Sequence, residues 1–430
     1  MHCLTPLVLL ALQGGDPYDR RMVTPPAQLD GVPRAGFAGE KVIYGTPYEH
    51  HVDSANFTVE WSGDDATEAY ARTVSDALEA GWQSLIVARG WPAPVSSDRY
   101  LLWVVLDPTL SGSGFTTVYT SSEFPQGYPV SWVSPGYSDR DWPGFSLSVA
   151  VHEFSHMIQF AVRDWGTSSA ESWYWEASAE WMADQGVPDI DTYALSTYWY
   201  VQDTPAAYDS TVGYHQYGML ILPVYLADTG GPEVVQSSWV HNDGMPWADA
   251  IGQAAGEDLG AILPEMAGAY AAGALTGSDL FYPIDVYGPR EGDDSGSGLY
   301  GTTYLDLTLS PGERLDVTGP ATVRYAADGT WGPTPAGPTF TAAITRIEEQ
   351  GTISWSVRGS GDSGDPLDTA DSGGSGTWDR PEPTACGCAA VKPSGSGSER
   401  RRRQQDEGRG FPELWILGAA TIAVRKRRRA

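Results

Sequence analysis

Cysteine is nearly absent from this 430-residue sequence: three residues, Cys3, Cys386 and Cys388, and none in the long body between them. A core stapled by disulfides is therefore excluded, and cysteine usage says nothing about compartment. Cys386 and Cys388 are too close for an ordinary structural bridge and too few for a zinc cluster. Basic residues are also scarce. Lys and Arg total 26 against 55 Asp and Glu, a formal charge of -29. Such a chain lacks the positive footprint that neutralises phosphates, so nucleic acid is excluded as a partner. The acidity fits a well-solvated surface that resists aggregation and carries no information on substrate. Despite it, no Asp-x-Asp-x-Asp-Gly loop offers a calcium site. Apolar residues, in contrast, are plentiful: 41% of the chain, with 17 Trp and 22 Tyr. That is enough for a substantial core, and the length allows two or three domains.

The pattern along the chain predicts an α+β fold. Residues 16–40 are rich in Pro and Gly and read as a lead-in. Strand-like runs follow at 41–44 and 51–61, then a helix over 64–89 with Tyr70, Val74, Ala77, Leu78 and Trp82 at helical spacing. The continuous apolar run at 100–106 predicts a buried strand, and 130–133 another. Helices are expected at 145–163 and 170–185, the second closed by Gly186 and Pro188, and further helical runs at 214–226, 232–240 and 247–273. From Gly298 alternating runs at 303–309, 339–345 and 352–357 predict a small β-sandwich-like domain over 298–358. Residues 359–411 have the composition of a disordered linker, and 412–430 form a hydrophobic and basic tail.

The chemistry concentrates in Val151-His152-Glu153-Phe154-Ser155-His156. Residues four apart on a helix share a face, so the imidazoles of His152 and His156 can meet one zinc ion. Glu153 is rotated away and reaches a water beside the ion rather than the ion. Leu147, Val151, Phe154 and Ile158 supply the apolar stripe that makes the helix credible. A catalytic zinc usually takes three protein ligands. The next helix offers Glu176, twenty residues beyond His156, and Glu180 one turn later on the same face. Glu176 is the expected third ligand. Glu180 is placed to accept a hydrogen bond from the far nitrogen of a ligand histidine. Ala177, Ser178 and Ala179 let the two helices approach. The segment 212–218 is rich in donors for an oxyanion, in the order Tyr217, His215, Tyr214. His50 and His51 precede a strand and read as surface residues.

This joint pattern resembles the gluzincin metallopeptidases, with spacing to Glu176 like that of the thermolysin-like branch. The resemblance is firm over 145–190. It implies a zincin-like domain over 41–290 (an N-terminal sheet, the active-site helix, then a helical subdomain) with His152, His156 and Glu176 as Zn2+ ligands and Glu153 as general base. The family carries Asp where this chain has Glu180. The metzincin pattern, a Gly and a third His soon after the second, is absent.

The ends carry resemblances of their own. Residues 1–15, with the apolar run Leu4–Leu12 before Gln13-Gly14-Gly15, resemble a secretory signal peptide without a basic n-region. Cys386-Gly387-Cys388, the apolar stretch 414–424 and the basic end 425–429 resemble the cysteine-containing sorting tails of myxobacterial surface proteins. Arg400–Arg403 depart from that pattern. The apolar stretch is shorter than the ~20 residues of a spanning helix, so any membrane contact is confined to this tail. The expectation is a secreted or surface-anchored zinc endopeptidase acting on extracellular protein or peptide. Two alternatives remain: a non-catalytic surface adhesion or binding protein on the same scaffold, and a zinc hydrolase of a non-peptide substrate.

Overall fold

Phe57, Val59 and Trp61, at every second position, send their side chains to one face of a strand, and that alternation organises the N-terminal half of the structure. The computed structural model describes residues 34–35, 42–43 and 48–359, apart from 109, 111–112, 120–126, 137–138, 140–142, 164–171, 191–192, 243, 285 and 287–288. The expected signal peptide, most of the lead-in, the linker beyond residue 359, the tail and all three cysteines lie outside the described residues.

Strands β1 (Arg34–Ala35) and β2 (Val42–Ile43) pair with each other. Strands β3 (His50–Asp53) and β4 (Phe57–Trp61) form an antiparallel hairpin where the sequence predicts one run. The turn between them is held by Glu79, whose carboxylate accepts from Ser54 Oγ, Asn56 N and Asn56 Nδ2 at 2.6–2.8 Å. Helix α1 (Glu68–Trp82) starts later than expected because Thr67 caps it, its hydroxyl accepting from Tyr70 N at 3.2 Å. It continues as a π-helical stretch over Gln83–Ala88. Then come β5 (Leu102–Leu106), β6 (Gly114–Tyr119) and β7 (Tyr128–Val133). The sheet runs β3-β4-β5-β7-β6. The pairs β4–β5 and β5–β7 are parallel, and β6 lies antiparallel to β7 at the edge. Both faces of β5 are buried, as its unbroken apolar run requires: Leu102, Val104 and Leu106 face the main core, Trp103 and Val105 a second aromatic layer.

Helices α2 (Phe145–Val162) and α3 (Ser172–Gly186) fill the main core. The start of α2 is fixed by Asp139, which accepts from Ser146 N (2.8 Å) and Ser146 Oγ (2.6 Å). Gly186 lets the end of α3 press on α2, since a Cβ there would sit 2.6 Å from Val151 Cγ1. The rest of the helical region comprises α4 (Tyr193–Gln202), α5 (His215–Gly218), α6 (Ile221–Gly230), α7 (Pro232–Val240), α8 (Trp247–Ala255) and α9 (Leu259–Ala271). The run expected over 247–273 breaks at Gly256, left-handed with φ 74°.

Two antiparallel sheets follow. One has the order β12 (Thr330–Gly332), β11 (Ala321–Ala327), β13 (Thr339–Arg346), β9 (Thr302–Thr308). The other has β10 (Arg314–Thr318), β14 (Ile353–Arg358), β8 (Glu291–Asp294). Leu305, Leu307, Phe340, Ile344, Ile353 and Trp355 pack together in their core. The four-stranded sheet is joined to the helices. Glu265 on α9 binds Arg324 Nε (2.5 Å) and Trp331 Nε1 (2.8 Å), and Tyr200 shares a hydrogen bond with Tyr304 (2.8 Å). The loop after α4 is stitched to the start of β9 by Thr302 N to Thr204 O (2.7 Å), Gly298 N to Pro205 O (2.9 Å) and Tyr208 N to Leu299 O (3.2 Å). The fold is thus α+β. Among the described residues no helix is long and apolar enough to cross a membrane.

Candidate metal centre

The helical period brings His152 and His156 to one face of α2, with ring centroids 4.7 Å apart. Helix α3 lays Glu176 against them. Its Oε2 lies 3.1 Å from His152 Nε2 and 3.5 Å from His156 Nε2. One ligand atom from each residue falls within 4.8 Å of the others, so this buried group could hold a metal ion. Two imidazole nitrogens and a carboxylate oxygen are the donor set of a borderline-soft divalent cation.

The orientation of both rings is fixed from behind. His156 Nδ1 meets Gln159 Oε1 at 2.7 Å, and Gln159 Nε2 donates to Trp175 O (3.0 Å) and Ser178 Oγ (3.1 Å). An amide whose NH2 is already committed can only accept on its other side. Gln159 Oε1 therefore accepts from Nδ1 of His156, with Nε2 of the same ring turned toward Glu176. On His152, Glu180 Oε1 stands 3.1 Å from Nδ1, where the sequence places it. The approach is off the ring N–H direction, so it is an electrostatic contact rather than an aligned hydrogen bond. Glu180 is itself held by Ser196 Oγ at 2.8 Å.

The charges are strongly coupled. Burial opposes a proton on His152, but the hydrogen bond to Glu176 and the negative charges of Glu180 and Glu176 outweigh it and hold its pKa well above the ordinary 6.5. Burial likewise opposes charge on Glu176, yet the two imidazoles carry its pKa far below the usual carboxylate range. In Glu153 burial wins: the pKa is raised, with His156, His152 and Thr116 offsetting only part.

Glu153 stands outside the three-residue group and is held by β6. Thr116 Oγ1 lies 2.7 Å from Glu153 Oε2, 2.9 Å from Glu153 O and 2.6 Å from Ser131 Oγ. A hydroxyl has one proton. Donating it to the carboxylate leaves Ser131 to donate to Thr116. Gly114 on the same strand is required by closeness: a Cβ there would be 2.9 Å from Glu153 Oε1 and 2.9 Å from Trp132 O.

The donor segment divides. Tyr217 is buried with its ring 6.1 Å from that of His152. Tyr214, left-handed at φ 68°, sits one ring further out, 6.4 Å from Tyr217. His215 is buried against Tyr200 (5.9 Å) with its Nδ1 unpartnered, and burial lowers its pKa to about 4. His50 and His51 lie on β3 and are both partly exposed at the surface.

Sequence reasoning missed Thr116, Gly114 and Gln159. Gln159 carried a readable signal, one helical turn after His156 on the same face. Thr116 and Gly114 reach the site only through strand pairing. The two buried runs expected at 100–106 and 130–133 are present within β5 and β7, while β6 had no counterpart among the expected strands.

No curated protein matches this chain. A family model described as a family of unknown function (DUF6055) matches residues 46–245, a span that contains the metal group, Glu153 and the strands that hold it.

Proposed function

We propose that the chain is a zinc-dependent endopeptidase on a zincin-like scaffold, secreted or held at the outer cell surface. The observation that carries this reading is Glu153. It is no part of the three-residue group, yet it is buried beside it and clasped by Thr116. A structural metal site has no use for such a carboxylate.

Zn2+ bound there would act as a Lewis acid, acidifying water and polarising a carbonyl. His152, His156 and Glu176 would hold it, and Gln159 and Glu180 would orient the imidazoles. Glu153 would take a proton from the attacking water and pass it to the leaving amine. Burial raises its pKa, which favours a base that must also give the proton back. Tyr217, beside His152, is the candidate donor to the developing oxyanion. Strand β6 favours a polypeptide over a small substrate. Among the described residues it pairs on one side only, with β7, and an extended chain could add to its other edge next to Glu153. An acidic, well-solvated surface and the leader-like and tail-like ends support an exported protein.

The test is metal content and chelator-sensitive cleavage of casein by the purified full chain, beside Glu153→Gln. The variant should keep about one zinc per chain and lose on the order of 10²–10⁴-fold in kcat/KM. A zinc-loaded parent that cleaves no protein, or a variant as active as the parent, would sink the reading.

A further inference from the structure

We infer that the outer face of the five-stranded sheet is the seat of the chain's own lead-in, residues 16–47, retained there as an integral layer of the domain. The inference does not depend on the peptidase reading. The face is aromatic: Trp103 and Val105 on β5 pack with Tyr128, Val130 and Trp132 on β7. Helices α1 and α2 lie on the opposite face, in the main core. Among the described residues no helix adds a side chain to the outer layer, and Tyr48, Leu110 and Phe115 pack on it only partly buried. Yet Trp103, Val105, Tyr128 and Val130 are at most 1% exposed in the single chain. Parallel strands are buried on both faces. Where no helix supplies the cover, another part of the same chain does.

Tyr48 shows which part. Its backbone N donates to Glu60 Oε2 on β4 (2.7 Å), its ring meets Trp103 on β5 edge to face at 6.0 Å, and its hydroxyl meets the Trp132 indole on β7. One residue thus lies across three strands, about 10 Å of sheet. Strand β3 begins two residues later at the margin of the sheet, so the chain arrives over the outer face. Upstream, β1 and β2 pair as a ribbon that ends at Ile43, five positions before Tyr48. Five residues reach at most about 18 Å, which keeps the ribbon beside the face. The lead-in sequence suits the task. Leu29, Val32, Phe37 and Tyr44 supply apolar side chains, and Pro25, Pro26 and Pro33 disfavour a helix.

Buried polar groups say what the cover must offer. Glu60 is fully buried, and its carboxylate takes the Tyr48 N–H. Trp103 Nε1 is buried with no acceptor among the described residues. An indole N–H in a dry layer asks for a carbonyl. Polypeptide backbone laid over β5 supplies one, and a purely apolar surface does not. A segment tethered within a few residues also acts at a millimolar effective concentration, which favours it over a second copy of the chain.

The test places p-benzoylphenylalanine at position 110 of the full chain, in place of the partly buried Leu110, and maps the photocrosslink by mass spectrometry. A crosslink to residues 16–47 of the same chain is expected. A crosslink between two copies, or none that reaches the lead-in, overturns the inference. A second measurement reads the energetics on protein that has already folded. A specific protease site is inserted between Gly45 and Thr46 and cut. The severed lead-in should stay with the body through gel filtration. Stripping it in mild denaturant and returning the body to buffer should lower Tm by at least about 5 °C and raise the binding of an apolar dye. A lead-in that leaves on cutting, or a stripped body with unchanged Tm and dye binding, overturns the inference.

Discussion

Thr116 Oγ1 lies 2.7 Å from Glu153 Oε2, tying an edge strand to the carboxylate that the proposed chemistry depends on. The hydroxyl lowers the Glu153 pKa against the rise imposed by burial. Removing it with Thr116→Val should raise that pKa further, so the acidic limb of the pH–rate profile moves to higher pH. A hydrogen bond to a charged group contributes about 1.5–3 kcal/mol, so kcat/KM at neutral pH should fall about tenfold or more. Thr116→Ser should restore both. An unshifted profile in Thr116→Val would count against the role.

Gly114→Ala probes the same carboxylate by crowding. The added carbon would lie 2.9 Å from both Glu153 Oε1 and the Trp132 carbonyl, and the carbonyl belongs to the β7 backbone and has nowhere to go. Strand β6 must shift away from the carbonyl, and the Glu153 side chain must shift with it. Misplacement by an ångström costs about 10²-fold. Activity should drop on that scale while metal analysis still finds about one zinc per chain. Loss of zinc together with activity would show that the strand supports the ligands rather than the base.

Gln159 should matter to affinity rather than to the reaction itself. Gln159→Met keeps the volume but removes the acceptor at His156 Nδ1 and the donor to Trp175 O. Loss of a partner behind a ligand histidine typically weakens metal binding 10–100-fold. Competition against a chromogenic chelator reads this directly, and an unchanged zinc affinity would refute it.

His215 predicts a pH dependence of stability. Its folded pKa, lowered by burial to about 4, sits below the ordinary 6.5. Between these values the unfolded chain binds a proton that the folded chain does not. Stability is therefore lost as pH falls from 6.5 toward 4 and is unaffected above 6.5. The full effect is about 3 kcal/mol. His215→Phe, which keeps a ring against Tyr200, should remove that share of the acid sensitivity. Urea unfolding of parent and variant at pH 7 and pH 4.5 checks it, and equal losses in both would contradict it.

How far the sequence could be read follows from where each contact lies along the chain. His152, His156, Glu176 and Glu180 were legible because helix geometry converts spacing into direction, and the four sit on two adjacent helices. Strand β5 was legible because burial on both faces leaves an unbroken apolar run. Strand β6 was not. Gly114-Phe115-Thr116-Thr117 mixes polar and apolar residues because one face meets Glu153 and the other carries the Phe115–Trp132 stack. Strands β8, β10, β11 and β12 were missed for a related reason: they are short or largely half-buried, and their polar residues hide the alternation. The breaks at Gly256 and between α5 and α6 depend on single backbone conformations that hydrophobic spacing does not register.

The stitching of residues 204–208 onto residues 298–302 has a consequence for the order in which the molecule becomes competent. The ligands and Glu153 are synthesised first, and a chain still growing would already possess a complete metal group. The segment that tethers the loop before Tyr214 emerges much later. Until then the loop before Tyr214 would be slack, so the surroundings of the metal group would be completed last, once the two later antiparallel sheets have formed.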